Sequence, residues 1–401
     1  CFSTIILDTM PIVDFIVIGR GLIGSAAARH LAVKGASVIL IGPSEPENLK
    51  THTGVFSSHY DSARIVRILD TLAHNCQISM AAIERFRPLE AETGINFFQE
   101  VGYLAVSNNS SFLEDMGAQA KGYYPEMETF SSQQLGENFP YFQFPKDVRG
   151  IFQAKNAGWL DPRKNIAAQN KALESIGGIT VDDTVVAIEK NKQYITVKTE
   201  KSSFKCKKCI ISTGAFANIG NTIPRPIDYG VVPHTAVLGE VSEGQLPSLI
   251  GMPTMSYRLG DETNKFLYFL PPVEYPNGKH YVKTGHALGD EMEKDKQSLQ
   301  ERFQSNGDKE KIPWLTEALK ELLPSVTFNN FHSVPCVTTT SPTGGNYIDQ
   351  FEDERFYALF AGGGYCAKSA DELGNIAAEF AFTGEFPAPY YRKDFKLIFT
   401  S

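Results

Sequence analysis

No stretch of this 401-residue chain approaches the ~20 consecutive apolar residues that cross a bilayer, so no membrane-spanning role is expected. Basic residues are not in excess. There are 38 Lys and Arg against 46 Asp and Glu, a net charge of −8, which argues against nucleic acid or an anionic membrane as a partner. Cysteine is sparse: the six, at positions 1, 76, 206, 209, 336 and 366, are scattered and do not form a disulfide framework. A reducing, cytoplasmic setting is the expectation. Cys206-Lys207-Lys208-Cys209 has no second CxxC and runs straight into an apolar strand, so a metal site is not expected there. Low-complexity tracts and internal repeats are lacking. The first ten residues have no basic n-region and do not read as a signal peptide. The last three, Phe399-Thr400-Ser401, are not an SKL-type address, so a peroxisomal location stays open without that signal. What remains is a globular composition, 42% apolar and 21% charged, long enough for two domains that share an interface.

Against that background residues 15–41 stand out. The apolar run 15–18 reads as a buried parallel strand and enters Gly19-Arg20-Gly21-Leu22-Ile23-Gly24. Ala26, Ala27, Leu31 and Val33 follow at helical spacing, Gly35 closes the helix, and a second apolar run, 38–41, completes a βαβ unit. The glycines have separate tasks. Gly19 permits the tight turn, Gly21 lets the backbone approach a pyrophosphate, and Gly24 lets helix and strand pack closely. The helix start, with Leu22 and Ile23 in its first turn, then offers free N–H groups and its dipole to phosphate. The unit departs from the usual form at the end of its second strand, where an acid normally grips a ribose hydroxyl. Here the chain reads Ile41-Gly42-Pro43-Ser44-Glu45, so Ser44 or Glu45 reaches the ribose from the loop, or no residue does.

Residues 52–70 read as a polar loop entering a helix, with Arg64 and Arg67 among Ile65, Val66, Ile68 and Leu69. A long helix is expected over about 71–93, ending near Gly94, then strands within 95–107. Asp161-Pro162 opens a helix to about 176, with Asp161 as N-cap and Pro162 at its first position. Strands follow at 179–188, 194–200 and 207–212, the last running into Ser212-Thr213-Gly214-Ala215, a glycine turn suited to close approach of a cofactor. Residues 227–290 alternate as an antiparallel sheet does, and 291–323 are charged and helical. A strand over 356–360 enters Ala361-Gly362-Gly363-Gly364, and a helix over about 369–383 follows.

A dinucleotide unit at the start and a second strand–glycine–helix unit at the end resemble the D-amino-acid oxidase family of flavoproteins, most of all its monomeric sarcosine oxidase and N-methyl amino acid oxidase branch. Four local segments carry the resemblance. In 58–67, SHYDSARIVR, the family's His-x-Asp-x-Arg-Ile-x-Arg implies His59 and Arg64 beside the flavin and Arg67 on a substrate carboxylate, although this copy is one residue longer. In Lys283-Thr284-Gly285-His286, a family Lys-x-Gly implies that Lys283 assists O2. His286 would line the substrate cavity, one position short of the family's His. Cys336, thirteen residues before Asp349, takes the place of a cysteine bonded to the flavin 8α-methyl. Gly362, Gly363, Gly364 and Tyr365 correspond to a turn whose helix start faces the flavin, and Lys368 to a lysine on the substrate carboxylate, the turn being one residue shorter. Tyr268 stands near a family tyrosine that also binds the carboxylate. Val185 and Gly214 join the expected cofactor contacts.

The resemblance implies an α/β fold: an FAD-binding, Rossmann-like domain of the glutathione-reductase type with an inserted mixed or antiparallel-sheet substrate domain. Read along the chain, the FAD domain would take 11–95, 151–226 and 326–401, and the substrate domain 96–150 and 227–325. The implied activity is FAD-dependent oxidation of a carboxylate-bearing amine, secondary or cyclic, with O2 as acceptor. The implied FAD is covalent through Cys336, and the protein a monomer or small homo-oligomer. Three alternatives stay open: a dehydrogenase passing electrons to a quinone or protein, an NAD(P)-linked enzyme, and a flavin-binding protein without turnover.

Overall fold

A computed structural model describes residues 11–259, 266–286 and 289–400. Of the sheet expected over 227–290, residues 260–265 and 287–288 lie outside the described ones, as do the first ten residues. The βαβ unit forms as read. Strand Val13–Ile18 lies between parallel partners Ser203–Ile211 and Val38–Ile41, and helix Leu22–Val33 connects it to Val38–Ile41. Val38–Ile41 is flanked in turn by Ile179–Val181. On the other side, Ser203–Ile211 pairs antiparallel with Ile195–Thr199 over its first half. Over its second half it pairs parallel with Phe356–Phe360. The two glycine-bearing units thus enter one sheet, and their helices pack together on one face of it. Gly374, in helix Cys366–Thr383, makes that packing possible, because a Cβ there would lie 2.6 Å from the Ala27 nitrogen. Ala27, Ala28 and Leu31 meet Leu373, Ile376 and Ala377 in the resulting core.

A second sheet has the order Phe328–Thr340, Gly230–Val241, His280–His286, Phe266–Glu274, Thr254–Arg258, Tyr103–Ser107, Arg149–Gln153, Glu128–Phe130. Its pairings are antiparallel except between Thr254–Arg258 and Tyr103–Ser107. Strand Phe328–Thr340, read from sequence as the start of the last FAD-binding segment, pairs with Gly230–Val241 from Thr340 back to Phe328. Cys336 therefore sits on the second sheet. Its neighbour Val337 is fully buried against the core of the first sheet, beside Ile16, Ile18 and Phe216.

Two helical expectations are corrected. The segment after Ala63 is extended: Arg64–Val66 is a strand paired with Gly158–Leu160, which also pairs with Phe98–Gln99. The backbone N–H groups of Ile68 and Leu69, which a helix would have bonded internally, donate instead to Gln153 Oε1 at 2.9 and 3.0 Å. The long helix over 71–93 is two, Ala73–Glu84 and Phe86–Thr93. Pro88 supplies no N–H to the Glu84 carbonyl, and the chain breaks at Arg85. It does end at Gly94, with φ of +70°. Asp161 caps helix Pro162–Ser175 by accepting from the Lys164 N–H at 3.1 Å.

Candidate active site

A cleft runs from the first βαβ turn, past strand Phe328–Thr340, to the second glycine turn. At one end the three glycines of the fingerprint separate by environment. A Cβ on Gly19, with φ of +109°, would lie 2.1 Å from the Ser212 carbonyl oxygen, and one on Gly24 would lie 1.9 Å from that of Gly19. Gly21 faces the cleft, where a Cβ would meet only Ser57 Oγ, at 3.6 Å. Leu22 and Ile23 line the cleft beside it, and helix Leu22–Val33 has no side-chain cap and no acid in its first turn. Its N–H groups are thus available to an anion. Ser212 and Thr213 also line the cleft, and their hydroxyl oxygens are buried without a partner among the described residues. Buried orphans of this kind call for a ligand or water. Val185 and Gly214 lie along the same wall. These features fit the phosphates of a dinucleotide.

The departure at the second strand has a steric cause. A Cβ at Gly42 would stand 2.6 Å from the Arg20 nitrogen, so no acid can occupy that position. The loop candidates are engaged elsewhere. Ser44 accepts from Arg20 Nη2 at 2.7 Å and donates its N–H to Asp182 at 2.8 Å. Glu45 takes a two-pronged ion pair from Arg163, at 2.6 and 2.7 Å. Neither lines the cleft.

Midway along the cleft lie His59, Arg64 and Cys336. Arg64 Nη2 is 3.8 Å from Cys336 Sγ and donates to the Ser58 carbonyl at 2.8 Å, while Nη1 pairs with Asp61. The His59 ring is 2.6 Å from Ser57 Oγ through Nδ1, and burial, then Arg163, Arg64 and Arg20, push its pKa down to about 3. It is therefore a neutral ring at working pH. The extra residue in this segment does not displace His59 and Arg64 from the cleft. Opposite them the second glycine turn brings Gly362, Gly363 and Gly364 to the wall, with Ala361 at φ +58° and Gly363 at φ +61°. A non-glycine residue in that region is strained, as is common at ligand sites. Helix Cys366–Thr383 starts at this turn with no side-chain cap. Cys366, within the second glycine segment but without an expected role, is a second cysteine on the cleft, its thiol pushed up to about 12 by burial.

Lys283 is 1% exposed and lies beside this group. Its Nζ donates to Asp61 Oδ2 at 2.7 Å and to the Ala63 carbonyl at 2.5 Å. Burial and the Arg64 charge draw its pKa down, while the Asp61 carboxylate in contact favours the charged form. Asp61 also accepts from Tyr275 at 2.7 Å, so one carboxylate joins Arg64, Lys283 and Tyr275. Tyr268 shares the Lys283 face of the sheet, its ring 5.9 Å from Nζ and its hydroxyl over Gly285. His286, an odd number of residues from Lys283, falls on the other face of the strand. There its Nε2 meets the Thr235 N–H at 3.4 Å and its ring the His234 ring at 5.7 Å, so the structure does not bring it together with Lys283.

Arg67 and Lys368 are brought together, although neither lines the cleft, whose wall ends at Ala367, the residue before Lys368. Both donate to Asp70 Oδ2, each at 3.0 Å, and all three residues are buried. The Arg67 guanidinium stands 5.1 Å from the Tyr103 ring and 5.6 Å from the Tyr365 ring, which also covers Lys368 at 5.4 Å. Sequence reasoning passed over Asp61 and Asp70. Each has a cation three residues away, Arg64 for Asp61 and Arg67 for Asp70, but the lysine that gives each its role lies 222 and 298 residues away.

Comparison with known proteins agrees with this geometry. The family model described as DAO, FAD dependent oxidoreductase, matches residues 14–380. An N-methyl-L-tryptophan oxidase of Yersinia pestis (strain Pestoides F) is 26% identical over 374 residues, covering 92% of this chain and 94% of that protein. Among solved structures, NikD, an unusual amino acid oxidase essential for nikkomycin biosynthesis, superposes with a TM-score of 0.78 at 17% identity, over 98% of this chain and 99% of its own. An L-proline dehydrogenase from P. horikoshii gives 0.74 at 17% identity, over 95% and 96%. These two share the fold. With the family match spanning most of its length and a dinucleotide cleft built to receive the cofactor, the chain belongs to the DAO family of FAD-dependent oxidoreductases.

Proposed function

We propose that the protein oxidises an amine that carries a carboxylate, secondary or cyclic, to the imine, with O2 as electron acceptor and peroxide as co-product. The observation that carries this reading is the burial of Arg67 and Lys368 together on Asp70, from segments far apart in the chain, with Lys368 next in sequence to Ala367 of the cleft wall. Buried cations are costly unless they serve an anion. Arg67 bonds Asp70 through Nη1, which leaves Nε and Nη2 for a substrate carboxylate among the described residues, and anchoring that carboxylate fixes the C–H bond beside the amine nitrogen. A bound flavin supplies the two-electron acceptance and hands the electrons to O2. The uncapped helix starts would hold its negative charge, and His59 and Arg64, on the cleft wall between them, would help to hold it. Lys283 provides a cation where charge develops on oxygen, with the Tyr268 ring beside it at 5.9 Å. Cys336 is the attachment point of a covalent flavin, supported by its place on the cleft wall and by Arg64 beside its sulfur. A reducing compartment suits the five described cysteines, all free.

One observation favours a second reading. The Asp61 carboxylate offsets the Lys283 charge, which would suit a dehydrogenase that delivers electrons to a quinone or protein rather than to O2.

Attachment is tested by precipitating the purified protein with acid. A yellow pellet is expected for the native protein and a yellow supernatant for Cys336→Ser. A yellow supernatant from the native protein would remove the covalent bond from the account, and a pellet that stays yellow in Cys336→Ser would move it to another residue.

A further inference from the structure

The carboxylate site just proposed already contains a carboxylate. Asp70, 1% exposed, follows strand Arg64–Val66 and precedes helix Ala73–Glu84. Its Oδ2 receives Arg67 Nη1 and Lys368 Nζ, both at 3.0 Å, and its Oδ1 receives Asn75 Nδ2 at 3.2 Å. The Tyr103 ring packs beside the Arg67 guanidinium, 5.1 Å from its centre. Two buried cations and one buried anion leave the cluster with the charge of a single cation.

We infer that Asp70 is the positioning residue of this site, holding Arg67 and Lys368 at a common point and keeping both charged, so that the cluster takes one carboxylate from the substrate. The inference rests on the carboxylate-amine reading above. Two cations in contact in a buried site repel each other, and the one able to lose its proton is the lysine. Burial first, and the Arg67 charge with it, already draw the Lys368 pKa down to about 8, against the pull of Asp70. The other titratable groups near the cluster are Cys76 on helix Ala73–Glu84, Tyr103 on strand Tyr103–Ser107 and Tyr365 at the glycine turn. Burial raises the pKa of all three, so each is neutral at working pH. Asp70 is thus the anion that keeps Lys368 protonated among the described residues. Without it, a substrate carboxylate at neutral pH would meet Arg67 alone.

The test uses the full-length protein with its flavin and benzoate, an unreactive carboxylate whose binding is followed by the change in flavin absorbance, from about pH 6 to about pH 10. In the native protein Kd is expected to be flat at low pH and to weaken above about 8, as Lys368 loses its proton. In Asp70→Asn the break should fall by ~1 pH unit or more. Asp70→Glu should restore it, and Lys368→Met should abolish it. An Asp70→Asn protein that binds benzoate with an unmoved break overturns the role of Asp70 and leaves the carboxylate site standing. A native protein whose spectrum ignores benzoate throughout overturns both. If the asparagine variant loses its flavin, Lys368→Met decides. Survival of the native break there overturns the inference, and its disappearance supports it.

Discussion

Lys283 is the residue on which the choice of electron acceptor turns. If it serves O2, Lys283→Met should slow reoxidation of the reduced flavin by about 10²-fold or more while amine-driven reduction stays near the native rate, since a fixed charge at a developing anion is worth that much. Stopped-flow measurement of the two half-reactions separates the effects. Equal rates of reoxidation would favour the dehydrogenase reading that Asp61 suggests. Arg67 bears on the substrate. Arg67→Met should weaken kcat/KM for a carboxylate-bearing amine by about 10²-fold, the loss of a charge-assisted hydrogen bond, and leave the corresponding primary amide nearly unaffected. Equal losses on acid and amide would place Arg67 outside the substrate site. At this scale a place on the cleft was readable for residues within a recognisable motif, as Gly19, Arg64 and Cys336 are. A role was unreadable where it depends on a partner across the fold, as with Asp61 and Asp70, or on which face of a strand ends up inward, as with His286.

Elements are held in place by a second buried charge cluster, behind the cleft. Asp371, on helix Cys366–Thr383, pairs with Arg29 at 2.7 Å and His30 at 3.1 Å on helix Leu22–Val33, and with Arg85 at the break between the next two helices. It also accepts from Gln169 of helix Pro162–Ser175 at 2.7 Å. Burial would raise the Asp371 carboxyl, but His30, Arg29 and Arg85 outweigh it and hold it well below the ordinary range. The stability it lends is therefore present at neutral pH and is lost only as pH falls through that low value. Asp371→Ala should cost about 3–5 kcal/mol in urea unfolding, because it strands the buried Arg29 guanidinium and takes from Arg85 one of its two carboxylate partners. A loss below about 1 kcal/mol would show that the cluster is dispensable. The same junction explains why the helix over 71–93 was read as one. The apolar periodicity runs through Arg85, and the break is visible only in the missing N–H of Pro88. The segment 64–69 was misread for a related reason. Alternation over so few residues cannot be told from a helical face until Gln153 and strand Gly158–Leu160 supply its hydrogen bonds.

In the whole molecule the cleft lies where the two large sheets meet, with walls from the first sheet's turns and from strand Phe328–Thr340 of the second. A cofactor lying there would brace one sheet against the other. Flavin-stripped Cys336→Ser should melt below the same variant refilled with FAD, by about 2.7 kcal/mol when FAD is 100-fold above its Kd. An unchanged Tm would mean that the cleft is not the FAD site. The interleaved order of the chain was legible because its glycine units lie at both ends and the alternating strands between them. The home of strand Phe328–Thr340 was not, since a long alternating strand pairs as well with one sheet as with the other, and only the register with Gly230–Val241 decides. Amine oxidation is tested most directly by anaerobic addition of N-methyl and cyclic amino acids to the yellow protein, followed by air. The predicted result is bleaching of the flavin bands by at least one carboxylate-bearing amine, then their return with release of peroxide. A flavin that no amine in the panel bleaches would contradict it.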